Sequence, residues 1–159
     1  MIKWYEERII PVHIETIWKL FEIDQLQRIM PNVIETKVIE QKEGIVGTKY
    51  QQKYKEGKRV ETYIVEDLEY ENTPEKKHNT IGFTLAKAFE IQASFTLIKI
   101  SETETNFIYQ GQNKGLNFLG KTLLKLGGQK NNQKVVTDFM DRVESEALTE
   151  ASNEGKDHK

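Results

Sequence analysis

The chain has 159 residues, 37% apolar and 30% charged, a composition that suits one soluble globular domain long enough to bury a core. It contains no cysteine, which excludes disulfides, thiolate chemistry and cysteine metal sites and fits a reducing cytosol. The net charge of −2 gives no general attraction to nucleic acid, and no apolar run approaches the roughly 18 residues of a membrane-spanning helix.

The first residues, Met1 to Glu7, lack an apolar stretch and carry acids early, so no signal peptide is read there and a cytoplasmic location is expected. Ile2 to Ile10 is rich in β-branched and aromatic residues and reads as a strand, ended by Pro11, which has no amide hydrogen for a ladder. From His13 to Phe21 the period becomes helical, with Ile14, Ile17, Trp18 and Phe21 on one face. Asp24 is the expected N-cap of a second short helix carrying Leu26, Ile29 and Met30, and Pro31 marks its end.

Strands follow over Val33–Glu40, Thr48–Lys55, Val60–Tyr70, Lys77–Leu85, Phe89–Ile100 and Asn106–Asn113. In the second of these Tyr50, Gln52 and Tyr54 share a face; in the fifth Phe89, Ile91, Ala93, Phe95 and Leu97 do so. The last element is a long amphipathic helix. Leu116, Leu119, Leu123 and Leu126 recur at three and four residues, Gly127-Gly128 predicts a kink or short break, and Val135, Val136, Phe139 and Val143 continue. The domain is expected to span residues 1–148, with 149–159 a polar, frayed tail. Strands joined by short turns make an antiparallel sheet, and the C-terminal helix is the one element large enough to cover its apolar face. The fold class is therefore α+β: a curved antiparallel sheet of about seven strands, two short helices, and a long helix over an internal cavity.

Three stretches carry a family resemblance. Ile10-Pro11-Val12-His13-Ile14-Glu15-Thr16-Ile17-Trp18-Lys19-Leu20-Phe21, then Asp24 to Val33, then Gly115 to Leu148 follow one another as in the SRPBCC or START-like superfamily, with its polyketide cyclase-like, pollen-allergen-like and lipid-transfer branches. The chain resembles that superfamily over nearly its whole length, with Val12-His13 standing where a small residue and proline are usual. The resemblance implies a helix-grip fold and binding of a hydrophobic or amphipathic small molecule. It implies no reaction, because the superfamily has no universal catalytic motif.

The residues themselves show no metal or phosphate chemistry. His13, His78 and His158 stand on separate elements without paired ligand spacing, and the glycine pairs match neither a dinucleotide nor a P-loop pattern, so no metal and no cofactor is expected. His13 is read at a helix start, His158 in the tail, and His78 on a strand at a rim position or facing a pocket.

The richest constellation is tyrosine and glutamine. A two-residue Gly57-Lys58 turn sets Tyr54 opposite Glu61, Gln52 opposite Tyr63 and Tyr50 opposite Val65, giving three phenols, an amide and a carboxylate on one face. A three-residue turn would instead turn Val60, Thr62 and Ile64 inward, and tyrosines on the solvent side of the sheet are the other reading. An Ala86-Lys87-Ala88 loop aligns Phe83 with Ile91 and Ile81 with Ala93, burying apolar residues on both strands. The expected ligand-binding set is Tyr50, Gln52, Tyr54, Tyr63, Phe83, Ile91, Ala93, Phe95, Phe107, Tyr109, Leu119, Leu123 and Phe139, an apolar wall with a few polar groups.

Non-catalytic carriage or sensing of a hydrophobic or lipid-like molecule is the favoured function. The alternatives are a polyketide cyclase or dehydratase-like enzyme using Tyr50, Tyr54, Tyr63 and Glu61 for acid–base work, and a protein- or membrane-interaction module. For the last, Lys114, Lys121, Lys125, Lys130 and Lys134 occur with no acid between them, as in basic helices that lie on anionic membranes; a solvated helix face over the sheet is the favoured reading of that stretch.

Overall fold

The computed structural model describes residues 1–157, without the side chains at positions 126, 127 and 157. The strands β1 (Ile2–Ile10), β2 (Val33–Glu40), β3 (Lys49–Glu56), β4 (Arg59–Asn72), β5 (Lys76–Leu85), β6 (Phe89–Ser101) and β7 (Glu104–Gly115) form one antiparallel sheet, ordered β1-β7-β6-β5-β4-β3-β2. Between β1 and β2 lie α1 (Ile14–Trp18), a 3-10 turn (Lys19–Phe21) and α2 (Leu26–Ile29). The chain ends in α3 (Phe118–Leu123), a π-helical turn (Leu124–Gly128) and α4 (Gln129–Asp157). This is the helix-grip architecture. The π turn falls on Gly127-Gly128, where a break in the helix was expected.

Turn chemistry sets the register. Gly57 takes φ 61 at the first position of a two-residue turn, so Tyr54 pairs with Glu61, Gln52 with Tyr63 and Tyr50 with Val65. The three-residue turn at Ala86-Lys87-Ala88 pairs Leu85 with Phe89, which brings Phe83 opposite Ile91 and Ile81 opposite Ala93. On β4 an extra residue, Leu68, is bulged between Asp67 and Glu69. The bulge leaves Asp67 facing inward with Val65 and turns Glu69 to the outer face, although two residues apart on a regular strand share a face.

The core lies off-centre. Ile10, Ile14, Ile17, Leu20 and Ile29 from the first third of the chain meet Leu97, Phe107, Val136, Met140 and Val143, all almost wholly buried. Helix α4 therefore packs on the β1, β7 and β6 side of the sheet. Trp4 folds its ring over Gly111, where any Cβ would overlap that ring and the Gln92 carbonyl. Arg8 on β1 reaches α4 through Asp141 at 2.8 Å, and Gln133 on α4 donates to Glu6 at 2.9 Å.

Two expectations are corrected at the helices. His13, not Asp24, provides a side-chain cap, accepting from the Glu15 amide at 3.1 Å; α2 starts after Gln25 with no side-chain cap. The segment expected to fray continues α4 to Asp157. Its polar residues are clamped to the first two helices: Glu150 accepts from Lys19 and from Arg28 at 2.8 Å each, and Glu154 accepts from the Thr16 hydroxyl at 2.8 Å. Lys19 and Arg28 together hold the Glu150 carboxyl below its usual range. The expectations for Leu126 as an inward side chain and for His158 in the tail lie outside the described residues.

Candidate functional site

Because α4 covers one side of the sheet, the concave face of β3, β4 and β5 is left without a helix against it. A cavity of about 620 Å³ fills that space, bounded by the sheet, α2 and one flank of α4. Its volume lies within the range of small-molecule sites.

The apolar wall is aromatic and continuous. Tyr63 stacks on Phe83 with ring centroids 4.9 Å apart, and Phe95 stacks on Tyr109 at 5.3 Å with nearly parallel planes. Phe139 from α4 closes on Tyr109 at 4.7 Å, and Phe21 meets Phe95 at 5.4 Å. Ile81, Ile91 and Ala93 form the floor between these rings, and Leu26, Met30 and Val135 stand at the helical side.

One corner is polar. The buried Asp67 carboxylate accepts the Tyr50 hydroxyl at 2.7 Å through one oxygen and the Asn79 amide at 2.9 Å through the other. Gln52, also buried, lies beside them on the same wall. Burial, helped by the neighbouring Asp67 carboxylate, pushes the Tyr50 phenol up; burial alone raises Tyr109 and, with Tyr54 nearby, raises Tyr63 to about 12. These phenols stay protonated at neutral pH and act as hydrogen-bond donors rather than bases. A carboxylate oxygen offers more than one acceptor site, so Asp67 still presents acceptor capacity to a donor arriving from the cavity.

Of the residues expected at the site, Tyr50, Gln52, Tyr54, Tyr63, Phe83, Ile91, Ala93, Phe95, Tyr109 and Phe139 all line this cavity. Three do not. Phe107 is wholly buried beneath the wall, in the core with Ile10 and Met140. Leu119 and Leu123 are 62% and 50% exposed, because α3 turns its Gly120 side to the sheet and those side chains away from it. Glu61, the candidate base, is drawn off by Arg59 at 2.8 Å at the tip of the β3–β4 hairpin. His78 faces the outer side of the sheet, bonded to Thr96 at 2.7 Å and Glu69 at 3.0 Å, neither in the cavity nor at its rim. Asp67 and Asn79 were missed. The period-2 alternation that gives Tyr63 and Val65 continues to Asp67, and that from Phe83 and Ile81 continues to Asn79.

Among the described residues no group of three or more acidic or histidine side chains is placed to hold a metal ion. Among the described residues no helix is long and apolar enough to cross a membrane.

No family model and no curated protein matches the sequence. Solved structures match its shape. A conserved protein from Geobacillus kaustophilus superposes with a TM-score of 0.65 at 15% identity, over 93% of this chain and 96% of that one. The Zhui aromatase/cyclase from Streptomyces sp. R1128 gives 0.68 at 9% identity, over 92% and 93%. Norcoclaurine synthase from Thalictrum flavum, in complex with dopamine and hydroxybenzaldehyde, gives 0.62 at 11% identity, over 92% and 86%. At these identities the likeness is one of fold. The chain has the helix-grip fold that these proteins share.

Proposed function

We propose that the chain binds a hydrophobic or amphipathic small molecule in the cavity, as a carrier or sensor that leaves it chemically unchanged. The observation that supports this reading is the pairing of a continuous aromatic wall with a hydrogen-bonded polar corner at Asp67, Tyr50 and Asn79. Such a site takes an apolar body along Tyr63, Phe83, Phe95 and Tyr109, and a hydroxyl or amine donor at the Asp67 carboxylate. The structural neighbours include an aromatase/cyclase and a synthase, which keeps acid–base catalysis as the second reading; the Tyr50–Asp67 pair is the feature that favours it.

Native mass spectrometry of gently purified protein, with the organic extract analysed beside it, tests the proposal. A discrete bound mass, released on denaturation and recovered unchanged after incubation with fresh protein, is the expected result. Recovery of a converted product would move the assignment to the enzyme reading. Empty protein that shows no thermal shift with a panel of hydrophobic and lipid-like compounds would overturn both.

A further inference from the structure

Helix α3 and the residues leading into it carry apolar side chains on the side away from the fold. Asn117 caps α3 by accepting from the Gly120 amide at 2.8 Å, and the Leu116 amide donates to the Ala88 carbonyl at 2.8 Å. Gly120 then lies directly on that Ala88 carbonyl, with no space for a Cβ. This contact fixes the rotation of the helix. Gly120 is buried and Leu124, one turn on, is half-buried, while Phe118 is 86% exposed and Leu119, Leu123 and Leu116 also face out. Exposing three large apolar side chains within one and a half turns is costly in water unless something covers them.

The charge around them has one sign. From Lys114 to Lys134 there are five lysines and no acid, in a chain of net charge −2. Lys134 is engaged by Asp138 at 2.9 Å, and Lys114 stands opposite Glu90 across the β6–β7 ladder. Lys121, Lys125 and Lys130 are exposed, and among the described residues no ion pair holds them. Lys87, exposed in the β5–β6 turn next to Ala88, adds a fourth cation beside α3. A second copy of the chain is a poor cover, because a two-fold contact would set these lysines against themselves. Bulky apolar side chains bordered by lysines match the boundary between anionic headgroups and acyl chains.

We propose that this end of the molecule docks on an anionic lipid surface. Phe118, Leu119 and Leu123 enter the headgroup boundary, and Lys87, Lys121, Lys125 and Lys130 lie against the negative headgroups. The docking face adjoins the cavity: Leu85, which lines it, ends β5 immediately before the Ala86-Lys87-Ala88 turn. The proposal stands whether or not the cavity holds a ligand.

The test is co-sedimentation of the whole chain with vesicles of phosphatidylcholine alone and of phosphatidylcholine mixed with phosphatidylglycerol, at low and high salt. Binding to the anionic vesicles only, weakening as salt is raised, is expected. Each lysine near such a surface contributes about fivefold, so Lys121→Gln with Lys125→Gln lowers partitioning roughly 25-fold. Phe118→Ser with Leu119→Ser removes the buried contact and lowers it at least as far. All four side chains are exposed, so both variants keep the wild-type far-UV spectrum and urea midpoint. Equal binding to neutral vesicles, no binding to either, or unchanged binding by both variants overturns the proposal. Retention on polyglutamate without vesicle binding overturns it in favour of an acidic protein partner.

Discussion

Filling the cavity floor should stabilise the empty protein while weakening its ligand. Ala93 sits in the middle of β6, facing in, 5% exposed, between Ile81 on β5 and Gly111 on β7. Ala93 lines the cavity, so a longer side chain there is directed into it. Ala93→Leu sends three more carbons into that space, each worth roughly 0.8 kcal/mol on burial. Ordering the leucine costs about 0.5–1 kcal/mol, which leaves a net gain of about 1.5 kcal/mol. For a chain of this length that corresponds to a rise in Tm of about 3–6 °C. Urea unfolding should show a higher midpoint with an unchanged slope, and a hydrophobic fluorophore titrated into the cavity should bind about tenfold more weakly or worse. Overpacking an already filled site typically destabilises by about 1–3 kcal/mol. A lowered midpoint in Ala93→Leu would therefore refute the claim that the floor is open.

Two further outcomes follow from contacts described above. Gly111→Ala forces a Cβ into the Trp4 ring and the Gln92 carbonyl, and should lower the unfolding free energy from urea titration by about 2 kcal/mol or more, with Trp4 fluorescence shifted toward that of exposed indole. Glu150 is held below its ordinary value of 4.5 by hydrogen bonds from Lys19 and Arg28, so its ionised form favours the folded state. That contribution is complete above the unfolded-state value and is lost as pH falls through the folded-state one. Urea midpoints from neutral to acid pH should fall less steeply below 4.5 for Glu150→Gln than for wild type, from a lower starting point; parallel curves would rule the clamp out.

The parts of the fold that were legible depend on short-range signals. Pro11 and Pro31 punctuate β1 and α2, and the lengths of the turns at Gly57-Lys58 and Ala86-Lys87-Ala88 fix which residues face each other across two hairpins. From there alternation alone brings Tyr50, Gln52, Tyr63, Phe83 and Ala93 to one surface. What was not legible depends on contacts distant in sequence. A leucine spacing of three and four defines a stripe on α3, but the stripe's direction is decided by Gly120 meeting Ala88, and it faces out. The polar run after Leu148 looked frayed because the groups that order it, Thr16, Lys19 and Arg28, lie at the other end of the chain. Asp67 follows Tyr63 and Val65 in regular alternation, and the bulge at Leu68 changes the facing only beyond it, at Glu69; a carboxylate on an apolar wall gives no sign in sequence that Tyr50 and Asn79 will satisfy it.

The sheet order has a consequence for how the molecule comes into being. β1 stands at an edge with β7 as its neighbour: the first strand made pairs with the last, Ile2 opposite Asn113 and Ile10 opposite Thr105. At about 5–20 residues per second on the ribosome, β1 waits roughly 5–20 s for its partner to be synthesised. Phe139 and the rest of α4, which close the cavity, come later still. A ligand can therefore stabilise the finished grip by mass action, but it has no site to bind while the sheet is being assembled.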